Sequence, residues 1–396
     1  MNYILFDDGA WGELLPLTFT RPVAEVRVGI LTIREKWELL LKTKCSVRTQ
    51  EYLARKFPLK EGEDNLLING SVLPTPQLLE EIEDLGPKEA LCQGELLLAV
   101  RLNKDALEYF DHQNREEYQC REYQQELIRI GKSYHIFSRN DVALRDDFEL
   151  LTNGRTSEPI SETVNVLGRE NIFIEEGATV EFATLNATKG PVYIGRNAEV
   201  MEGSMIRGPF ALGEHSVVNM GAKVYGPTTL GPYCKCGGEL NNVVLFGYSN
   251  KAHDGFLGNA VIGEWCNIGA DTNNSNLKNN YSEVKLWNYQ GRRFERTGLQ
   301  FCGTVMGDHS KVGINTMLNT GTVIGVSSNV FGAGFPRNFI PSFAMGGGQG
   351  FKEYRLKATF EVAQLVMKRR NKEFDEVEKD ILTAIFDMTK ENRNFI

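Results

Sequence analysis

Residues 192–231 decide the fold, and they run VYIGRNAEVMEGSMIRGPFALGEHSVVNMGAKVYGPTTLG. An aliphatic residue recurs at every sixth position of this stretch. The residue two places before each aliphatic residue is mostly small, and the residue directly after the aliphatic one is often Gly or Asn. A period of six fits neither a helix, with about 3.6 residues per turn, nor a simple alternating strand. It predicts short strands joined by tight turns, three to each coil of a parallel β-helix. The aliphatic positions are Ile194, Val200, Ile206, Leu212, Val218, Val224 and Leu230.

The same phase returns twice further along the chain, from Phe256 to Ile268 and from Met306 to Val330. In each unit we expect one inward aliphatic side chain, a small residue at the crowded corner, and Gly or Asn in the left-handed conformation that a turn needs. The repeat resembles the left-handed β-helix of hexapeptide acyltransferases. The other interpretation is a solenoid that serves only as a scaffold or a trimerisation surface.

The glycines mark the domain organisation. Of the 39 glycines, eight lie in residues 1–150, thirty-one in 151–350 and none after Gly350. Residues 1–155 alternate apolar strand candidates with helix candidates, which predicts an α/β domain with a Rossmann-like parallel sheet. Residues 156–345 carry the repeat, and residues 346–396 have apolar residues at helical spacing. We therefore expect an α/β domain, a β-helix and a helical tail.

Composition narrows the class of protein. Hydrophobic residues make up 41% and charged residues 24%, as in soluble globular proteins. No apolar stretch is long enough to span a membrane, and the start Met1–Asp8 is too acidic for a secretory signal. A net charge of −8 argues against nucleic acid as a partner. Seven scattered cysteines predict buried structural thiols in a reducing cytoplasm, and a metal site at Cys234-Lys235-Cys236 is a weak alternative.

Two interruptions of the repeat are the candidate sites, because a coil that keeps strict phase leaves no cavity. Leu230 and Ile262 are 32 residues apart, two more than a multiple of six, and residues 250–258 lie between them. The second interruption runs from Thr272 to about Gln300 and is polar and basic.

Residues 261–272, VIGEWCNIGADT, resemble the acetyltransferase half of the bifunctional N-acetylglucosamine-1-phosphate uridyltransferase/glucosamine-1-phosphate acetyltransferase family. Archaeal sugar-1-phosphate nucleotidylyltransferase/acetyltransferases are still more similar. They share Asn276-Leu277 followed by Lys285, and then Gly291-Arg292-Arg293. Residues 311–315, KVGIN, match the next coil of that family. A divergent Bacteroidetes-type variant of the bifunctional enzyme has a similar N-terminal region.

The resemblance implies that His253 is the general base of an acetyl transfer. An ammonium must lose its proton before the amine attacks a thioester, and imidazole titrates near neutral pH. A single histidine is otherwise usually structural. His215 and His309 lie inside regular units, where surface or turn positions are expected.

The same resemblance implies ligand contacts on either side of His253. Asn276 and Lys285 match residues that hold the amino-sugar phosphate, although a solvated basic loop is the alternative. Phe256 stands where the family has a substrate-binding tyrosine, so a hydroxyl is missing. Ala270 and Gly313 match positions beside acetyl-CoA, and backbone N–H groups there would bind the oxyanion.

Residues 8–22 are similar to the sugar-nucleotide pyrophosphorylase signature L-x-A-G-x-G-T-R-L-x-P-L-T-x-x-x-P-K. Gly9 and Gly12 are the expected nucleotide-binding glycines. Glu13 lies where the family has its catalytic arginine, and Val23 lies where it has lysine. Arg21 and Arg27 are the candidate replacements. The metal-binding Gly-Asp has no clear match, so the ligands of the Mg²⁺ implied for an active domain are unknown.

These observations predict a cytoplasmic homotrimeric transferase that uses sugar phosphates, acetyl-CoA and a nucleoside triphosphate. It would acetylate glucosamine-1-phosphate and transfer a nucleotidyl group from UTP or dTTP to a sugar-1-phosphate. One alternative is a nucleotidyltransferase with a scaffold β-helix, for example one that acts on glucose-1-phosphate. Another is a non-catalytic binding or regulatory protein.

Overall fold

The computed structural model describes residues 1–395. The chain forms two compact units, and neither is one continuous stretch. The first comprises Met1–Leu14, Thr20–Val26 and Leu31–Lys132. The second comprises Leu15–Phe19, Arg27–Ile30 and the chain from Ser133 onward. The signature segment at residues 8–22 is therefore divided between the two units.

The first unit contains a six-stranded sheet in the order β2-β1-β3-β5-β4-β6. β5 runs antiparallel to β3 and β4, whereas the other neighbours are parallel. The sheet is thus mixed, not parallel throughout as predicted. The reason is a tight hairpin at Gly94-Glu95, where Gly94 has φ +54 and reverses the chain between β4 and β5. The strands are β1 (Asn2–Phe6), β2 (Ser46–Arg48), β3 (Asp64–Asn69), β4 (Glu89–Gln93), β5 (Leu96–Asn103) and β6 (Gln119–Glu122).

Helices follow several strands and cover this sheet. Thr32 caps the longest helix of the first unit, since its hydroxyl accepts from Glu35 N–H while the Glu35 carboxylate accepts from Thr32 N–H. The helices of the described residues are α1 (Ala10–Glu13), α2 (Ile33–Leu41), α3 (Pro76–Glu83), α4 (Lys104–Leu107), α5 (Ser133–Ser138), α6 (Asn140–Thr152), α7 (Leu356–Lys368) and α8 (Glu376–Met388). Short 3-10 turns are Leu17–Thr20, Val23–Glu25, Glu51–Leu53, Arg115–Glu117, Arg169–Asn171 and Lys390–Arg393. Within residues 1–395, no helix is both long and apolar enough to cross a membrane.

The cysteines differ from the expectation in one respect. Cys92 on β4 and Cys120 on the neighbouring β6 form a disulfide. The other five are free and buried. Burial raises the pKa of Cys234 and Cys266 to about 12, so both stay as thiols. Among the described residues, no group of three or more His, Cys, Asp or Glu side chains is arranged to hold a metal ion.

The second unit is a parallel β-helix, as predicted. Each complete coil passes through three faces, and most strands point one aliphatic side chain into a continuous core. Cys236, Lys251 and Asn274 are the buried inward residues of three strands that have no aliphatic one. The first face contains Ile172–Ile174, Val192–Ile194, Phe210–Leu212, Thr228–Leu230, Val305–Met306, Val323–Ile324 and Phe339–Ile340. The second face contains Thr179–Val180, Glu199–Val200, Val217–Val218, Lys235–Cys236, Asn250–Lys251, Asn267–Ile268, Lys311–Val312, Asn329–Val330 and Ala344–Gly347, which ends in an antiparallel pair with Gly350–Glu353. The third face contains Asn165–Leu167, Thr184–Asn186, Met205–Arg207, Lys223–Tyr225, Asn273–Asn274 and Met317–Leu318.

Two longer strands, Glu239–Leu245 and Phe256–Ile262, run from the third face through the corner to the first face. Asn242 and Asn259 turn these strands at that corner with φ +55 and +46. Asparagine tolerates this left-handed conformation better than most residues.

Some glycines of the repeat, such as Gly221, take the left-handed conformation predicted for the turns, but those directly after the aliphatic positions serve another purpose. Gly195 and Gly213 follow aliphatic positions, yet neither has a positive φ. A Cβ on Gly195 would lie 2.7 Å from Leu212 O, and one on Gly213 would lie 2.6 Å from Gly231 C. These positions need glycine because the next coil passes too close for a side chain. The left-handed residues come two positions later, at Asn197 and His215.

Five residues with positive φ, of which His215 is the first, form an aromatic column along the corner between the first and second faces. Neighbouring ring centroids are 4.8, 5.0, 4.2 and 6.3 Å apart, and the planes are nearly parallel. His309 is buried at 8% exposure, so it is a turn residue but not a surface one. The aromatic column consists of His215, Tyr233, Tyr248, Trp265 and His309.

Candidate functional site

His253 lies at the second corner, which joins the second face to the third. In its own coil, four residues connect Lys251 on the second face to Phe256 on the third. The coil below makes the same connection with only Gly237 and Gly238 between Cys236 and Glu239. The irregularity between Leu230 and Ile262 therefore comes partly from this shortened corner, and not from the segment that carries His253.

The shortened corner is bridged by a side chain. Asn219, one coil further down, donates from Nδ2 to Ala252 O at 2.7 Å and so skips the short coil. A Cβ on Gly237 would lie 2.4 Å from the same Ala252 O. A Cβ on Gly238 would lie 2.9 Å from His253 O. Both glycines are needed because the His253 corner lies directly on them.

Lys251 holds the corner from inside. Its side chain is fully buried, and Nζ donates to His253 O and, at 3.0 Å, to Asp254 O. Burial lowers the pKa of Lys251, and the two carbonyl oxygens compensate part of the lost hydration. The His253 side chain itself is exposed. The backbone path, and not a side-chain network, positions the imidazole.

Ala270 occupies the same corner one coil above. Asp271 N–H donates to Asp254 O at 2.9 Å, which aligns the two coils, and Ala270 O accepts from Asn315 N–H at 2.8 Å. Within residues 1–395, the Ala270 N–H has no intrachain acceptor. An amide of this kind beside an exposed imidazole is suited to binding a developing oxyanion.

Gly313 lies one coil higher still. Its N–H already donates to Val330 O at 2.7 Å, and its carbonyl accepts from the hydroxyls of Thr272 and Thr316. Its lack of a side chain leaves room for Phe331, whose Cβ would lie 3.1 Å from a Cβ placed there. A contact to acetyl-CoA at this residue remains a prediction.

The structure brings Asn276 and Phe256 together. A Cβ on Gly258 would lie 2.5 Å from Phe256 Cζ and 2.8 Å from Asn276 Nδ2, so both side chains cover the same glycine. Asn276 Nδ2 donates to Asn259 Oδ1 at 2.7 Å. Both side chains are half-buried on the third-face side of the His253 corner.

Lys285 is placed elsewhere. It lies on a hairpin in which Lys285–Asn288 pairs with Arg293–Arg296, within the long insertion of the repeat. It lines a cavity of about 730 Å³ together with Trp287 and Phe294. His253 and Asn276 do not line this cavity.

A second candidate site lies at the ends of β1 and β3 in the first unit. Asp8 is buried, and its Oδ2 accepts from Arg129 Nη2 at 2.7 Å and Asn69 Nδ2 at 3.0 Å, while Oδ1 accepts from Ala10 N–H at 2.9 Å. Ser71 Oγ donates to Asn69 Oδ1 at 2.6 Å and accepts from Arg129 Nε at 3.1 Å. Asp8, Asn69 and Arg129 of this network line a cavity of about 430 Å³.

The predicted nucleotide-binding residues are spread around this network. Gly9 lines the cavity, and a Cβ there would meet nothing within 4 Å. Gly12 is buried within α1. Arg21 is buried at 5% exposure and does not line the cavity. Glu13, where the family has arginine, forms an ion pair with Lys132. Val23 is buried, and its N–H donates to Asp7 Oδ1 at 2.8 Å.

Sequence reasoning missed Arg115 and Arg129, which supply the positive charge of the cavity. Neither belongs to the signature, and only the pairing of Val72 with Arg129 brings that residue back to the end of β3. The two carboxylates that line the cavity, Asp8 and Glu95, are each paired with one of these arginines. Mg²⁺ prefers one or two carboxylates plus phosphate oxygens. The residues present do not fit a metal site in this arrangement.

Comparisons with known proteins support the resemblance. Residues 3–156 match the model of a family described as sugar nucleotidyl transferase. A 145-residue region is 36% identical to a bifunctional sugar-1-phosphate nucleotidylyltransferase/acetyltransferase of Sulfurisphaera tokodaii and spans 36% of each chain. The chain thus matches about a third of that relative's length. The resemblance stated from the motifs is confirmed.

Solved structures similar in part include two UDP-N-acetylglucosamine acyltransferases. The one from Campylobacter jejuni is 13% identical, with coverage of 60% of this chain and 91% of that protein and a TM-score of 0.30. The one from Arabidopsis is 15% identical, with coverage of 59% and 91% and a TM-score of 0.23.

Proposed function

We propose that the chain is a two-site transferase of sugar-nucleotide biosynthesis. At the His253 corner it would move the acetyl group of acetyl-CoA to the amine of glucosamine-1-phosphate or a related amino-sugar-1-phosphate. The first unit would transfer a nucleotidyl group from UTP or dTTP to a sugar-1-phosphate. The observation that carries the acetyl transfer is the exposed His253 one coil below the unbonded Ala270 N–H.

The geometry suits each step of acetyl transfer. The His253 imidazole takes a proton from the substrate ammonium, and the freed amine attacks the thioester carbonyl. Negative charge then develops on the carbonyl oxygen, where the Ala270 N–H would stabilise it. The attacking nitrogen, which still carries one proton too many for an amide, releases that proton to water. When the tetrahedral intermediate collapses, the C–S bond breaks and the protonated imidazole returns its proton to the departing thiolate. The products are the N-acetyl sugar phosphate and free CoA.

Release of CoA thiol in the presence of glucosamine-1-phosphate tests this step. We expect the His253→Ala variant to lose roughly 10²- to 10⁴-fold in kcat, the usual contribution of a general base. His215→Ala is the matched control, because it removes another corner histidine without touching this site. If His253→Ala releases thiol as fast as the wild-type protein, the assignment of the base is wrong.

Lys285 is included in the proposal through the expected homotrimer, since within one chain it lines a cavity that Asn276 does not line. If Lys285 of one subunit completes the site of the next, the variants His253→Ala and Lys285→Ala should complement each other. Co-expressed and purified as mixed trimers, they would regain part of the activity that each lacks alone. Mixed trimers that are no more active than the parent variants would place the complete site within a single subunit.

For the first unit, Arg115 and Arg129 would hold the phosphates in place of the signature cations. We derive no step through Mg²⁺, because the cavity carboxylates are already paired. Release of pyrophosphate from UTP or dTTP with a panel of sugar-1-phosphates is the test, and Arg129→Ala should abolish it.

A specific observation favours a second candidate, a non-catalytic nucleotide-binding unit: Glu13 and Val23 replace both signature cations. Nucleotide binding without pyrophosphate release would support that candidate.

A further inference from the structure

A cavity of about 640 Å³ lies between the second face of the β-helix and α7. We call it the basic cavity, because Lys235, Lys311, Arg369 and Arg370 line it and no carboxylate does. Lys235 and Lys311 come from strands of the second face, whereas the two arginines directly follow the last residue of α7. Such a concentration is notable in a chain with a net charge of −8.

The four cations are not engaged by side-chain carboxylates. Within the described part of the chain, none of them forms an ion pair with a carboxylate. Arg370 Nη2 donates to Asn250 Oδ1 at 3.4 Å. Lys311 Nζ donates to Trp265 O at 2.5 Å and His309 O at 3.1 Å, which leaves the third N–H of its ammonium for a ligand.

The helix dipole explains only part of this arrangement. Cations are stabilised at the C-terminal end of a helix, so Arg369 and Arg370 are favourable where they lie. Lys235 and Lys311 are on the opposite wall, on strands, and gain nothing comparable from α7. Four like charges around one cavity repel each other, and a bound anion would remove that cost.

The remaining lining residues suit an organic group attached to the anion. Tyr248 and Trp265 of the aromatic column form part of one wall. Asn250 and Asn267 add amide groups that can donate to and accept from hydroxyls. Cations, amides and aromatic rings together are the groups that recognise phosphates with polar or ring-containing substituents.

We infer that the basic cavity binds a small molecule that carries a phosphate monoester. Ala252 lines the cavity and His253 is the next residue, so the organic part of the ligand can extend toward the second corner. A role for this ligand as a substrate of acetyl transfer rests on the proposed function, whereas its binding does not. Both an amino-sugar-1-phosphate and the 3′-phosphate of CoA have this chemistry.

The state of Lys311 agrees with anion binding. Burial lowers its pKa to about 8, so the charged form is less stable there than in water. Asp308 is the acidic group that acts on it from its own turn. A phosphate in contact with Nζ would favour the charged form and raise the pKa.

Isothermal titration calorimetry on the full chain tests the inference with four probes: inorganic phosphate, glucosamine-1-phosphate, CoA and dephospho-CoA. The key variant is Arg369→Ala/Arg370→Ala, which removes two cations that are not fully buried. Lys223→Ala is the matched control, because Lys223 is an exposed cation on the third face. We expect the double variant to bind at least one probe tenfold or more weakly than the wild type, and the control to keep its affinity for every probe within twofold.

The probes separate the two sources. If the double variant loses affinity for glucosamine-1-phosphate alone, the ligand is a sugar phosphate. If it loses affinity for CoA but not for dephospho-CoA, the ligand is the 3′-phosphate of CoA. Unchanged affinity of the double variant for all four probes overturns the inference, as does binding that only Arg129→Ala removes. Because no turnover is measured, intact binding with no acetyl transfer would count against the proposed function alone.

Discussion

The two candidate sites hold their chemical groups in opposite ways. Asp8 is buried, and its carboxylate has partners on both oxygens from Ala10, Asn69 and Arg129. His253 is exposed, and its position follows from carbonyl oxygens held by Lys251 beneath it. The first site therefore depends on the electrostatic surroundings of side chains, and the second on the path of the backbone.

Asp7→Asn tests how strongly the electrostatic surroundings act in the first unit, because Asp7 directly precedes Asp8 at the end of β1. Burial raises the pKa of Asp7 from 3.8 to about 7, which corresponds to about 4 kcal/mol. Between these values the unfolded chain loses the proton while the folded chain keeps it, so rising pH destabilises the fold until about pH 7. Asparagine has no such cost and can still accept from Val23 N–H.

We therefore expect Asp7→Asn to match the wild type near pH 4 and to be more stable by up to about 4 kcal/mol at pH 8. Urea unfolding at both pH values measures the difference. Asp64→Asn is the control, since its ion pair with Arg101 lowers the pKa of Asp64 and gives the opposite trend. An Asp7→Asn difference that is equal at pH 4 and pH 8 would contradict the account.

The backbone side of the contrast is tested by Gly237→Ala. The added Cβ would lie 2.4 Å from Ala252 O, so the His253 corner must move. We expect a loss of about 3 kcal/mol in unfolding free energy, as for severe overpacking. Gly221→Ala, at the equivalent corner one coil below, meets nothing within 4 Å and pays only for φ +70, about 1 kcal/mol. Equal losses in both variants would show that the short corner is not tightly packed.

Lys251→Met removes the support of the corner while it keeps most of the side-chain volume. Two carbonyl oxygens would lose their donor, so we expect a loss of about 2 kcal/mol together with a fall in acetyl transfer. Thermal unfolding and thiol release measure the two effects. Lys223→Met, on the third face, replaces an exposed lysine outside the basic cavity and should leave stability unchanged. Full activity in a destabilised Lys251→Met protein would separate the support of the fold from the positioning of His253.

The smallest effect is expected for Gly258→Ala. Its Cβ would displace only the ends of the Phe256 and Asn276 side chains, so stability should fall by less than about 1 kcal/mol. If these side chains bind the amino sugar, its KM should rise several-fold while kcat changes little. Steady-state kinetics with the amino sugar varied at saturating acetyl-CoA would detect this, and an unchanged KM would remove both residues from the acceptor site.

The sequence predicted the β-helix because a period of six is a local property that each coil repeats. It also located an irregularity between Leu230 and Ile262, but not which corner is short. That depends on pairing: Leu230 pairs with Leu245, and Leu245 with Ile262, and spacing alone does not reveal which coil lies on which.

In the first unit, the signature predicted a nucleotide site at the end of β1, and Gly9 lines a cavity there. The cations were not predictable, because Arg115 and Arg129 reach the cavity through contacts distant in sequence. The mixed sheet was missed for a simpler reason. The turn at Gly94-Glu95 is short, and the apolar pattern of a strand does not indicate whether the neighbouring strand runs parallel or antiparallel to it.

The aromatic column limits how this β-helix can change length during evolution. Solenoids gain and lose coils by duplication and deletion. Between His215 and His309, a removed coil would break a stack in which each inner ring is covered on both sides. Coils before this stretch have Gly177 and Asn197 at the equivalent corner, so their removal takes no ring from the aromatic column. We therefore expect relatives of this protein to differ in coil number toward the N-terminal end and to keep the stretch around the column constant.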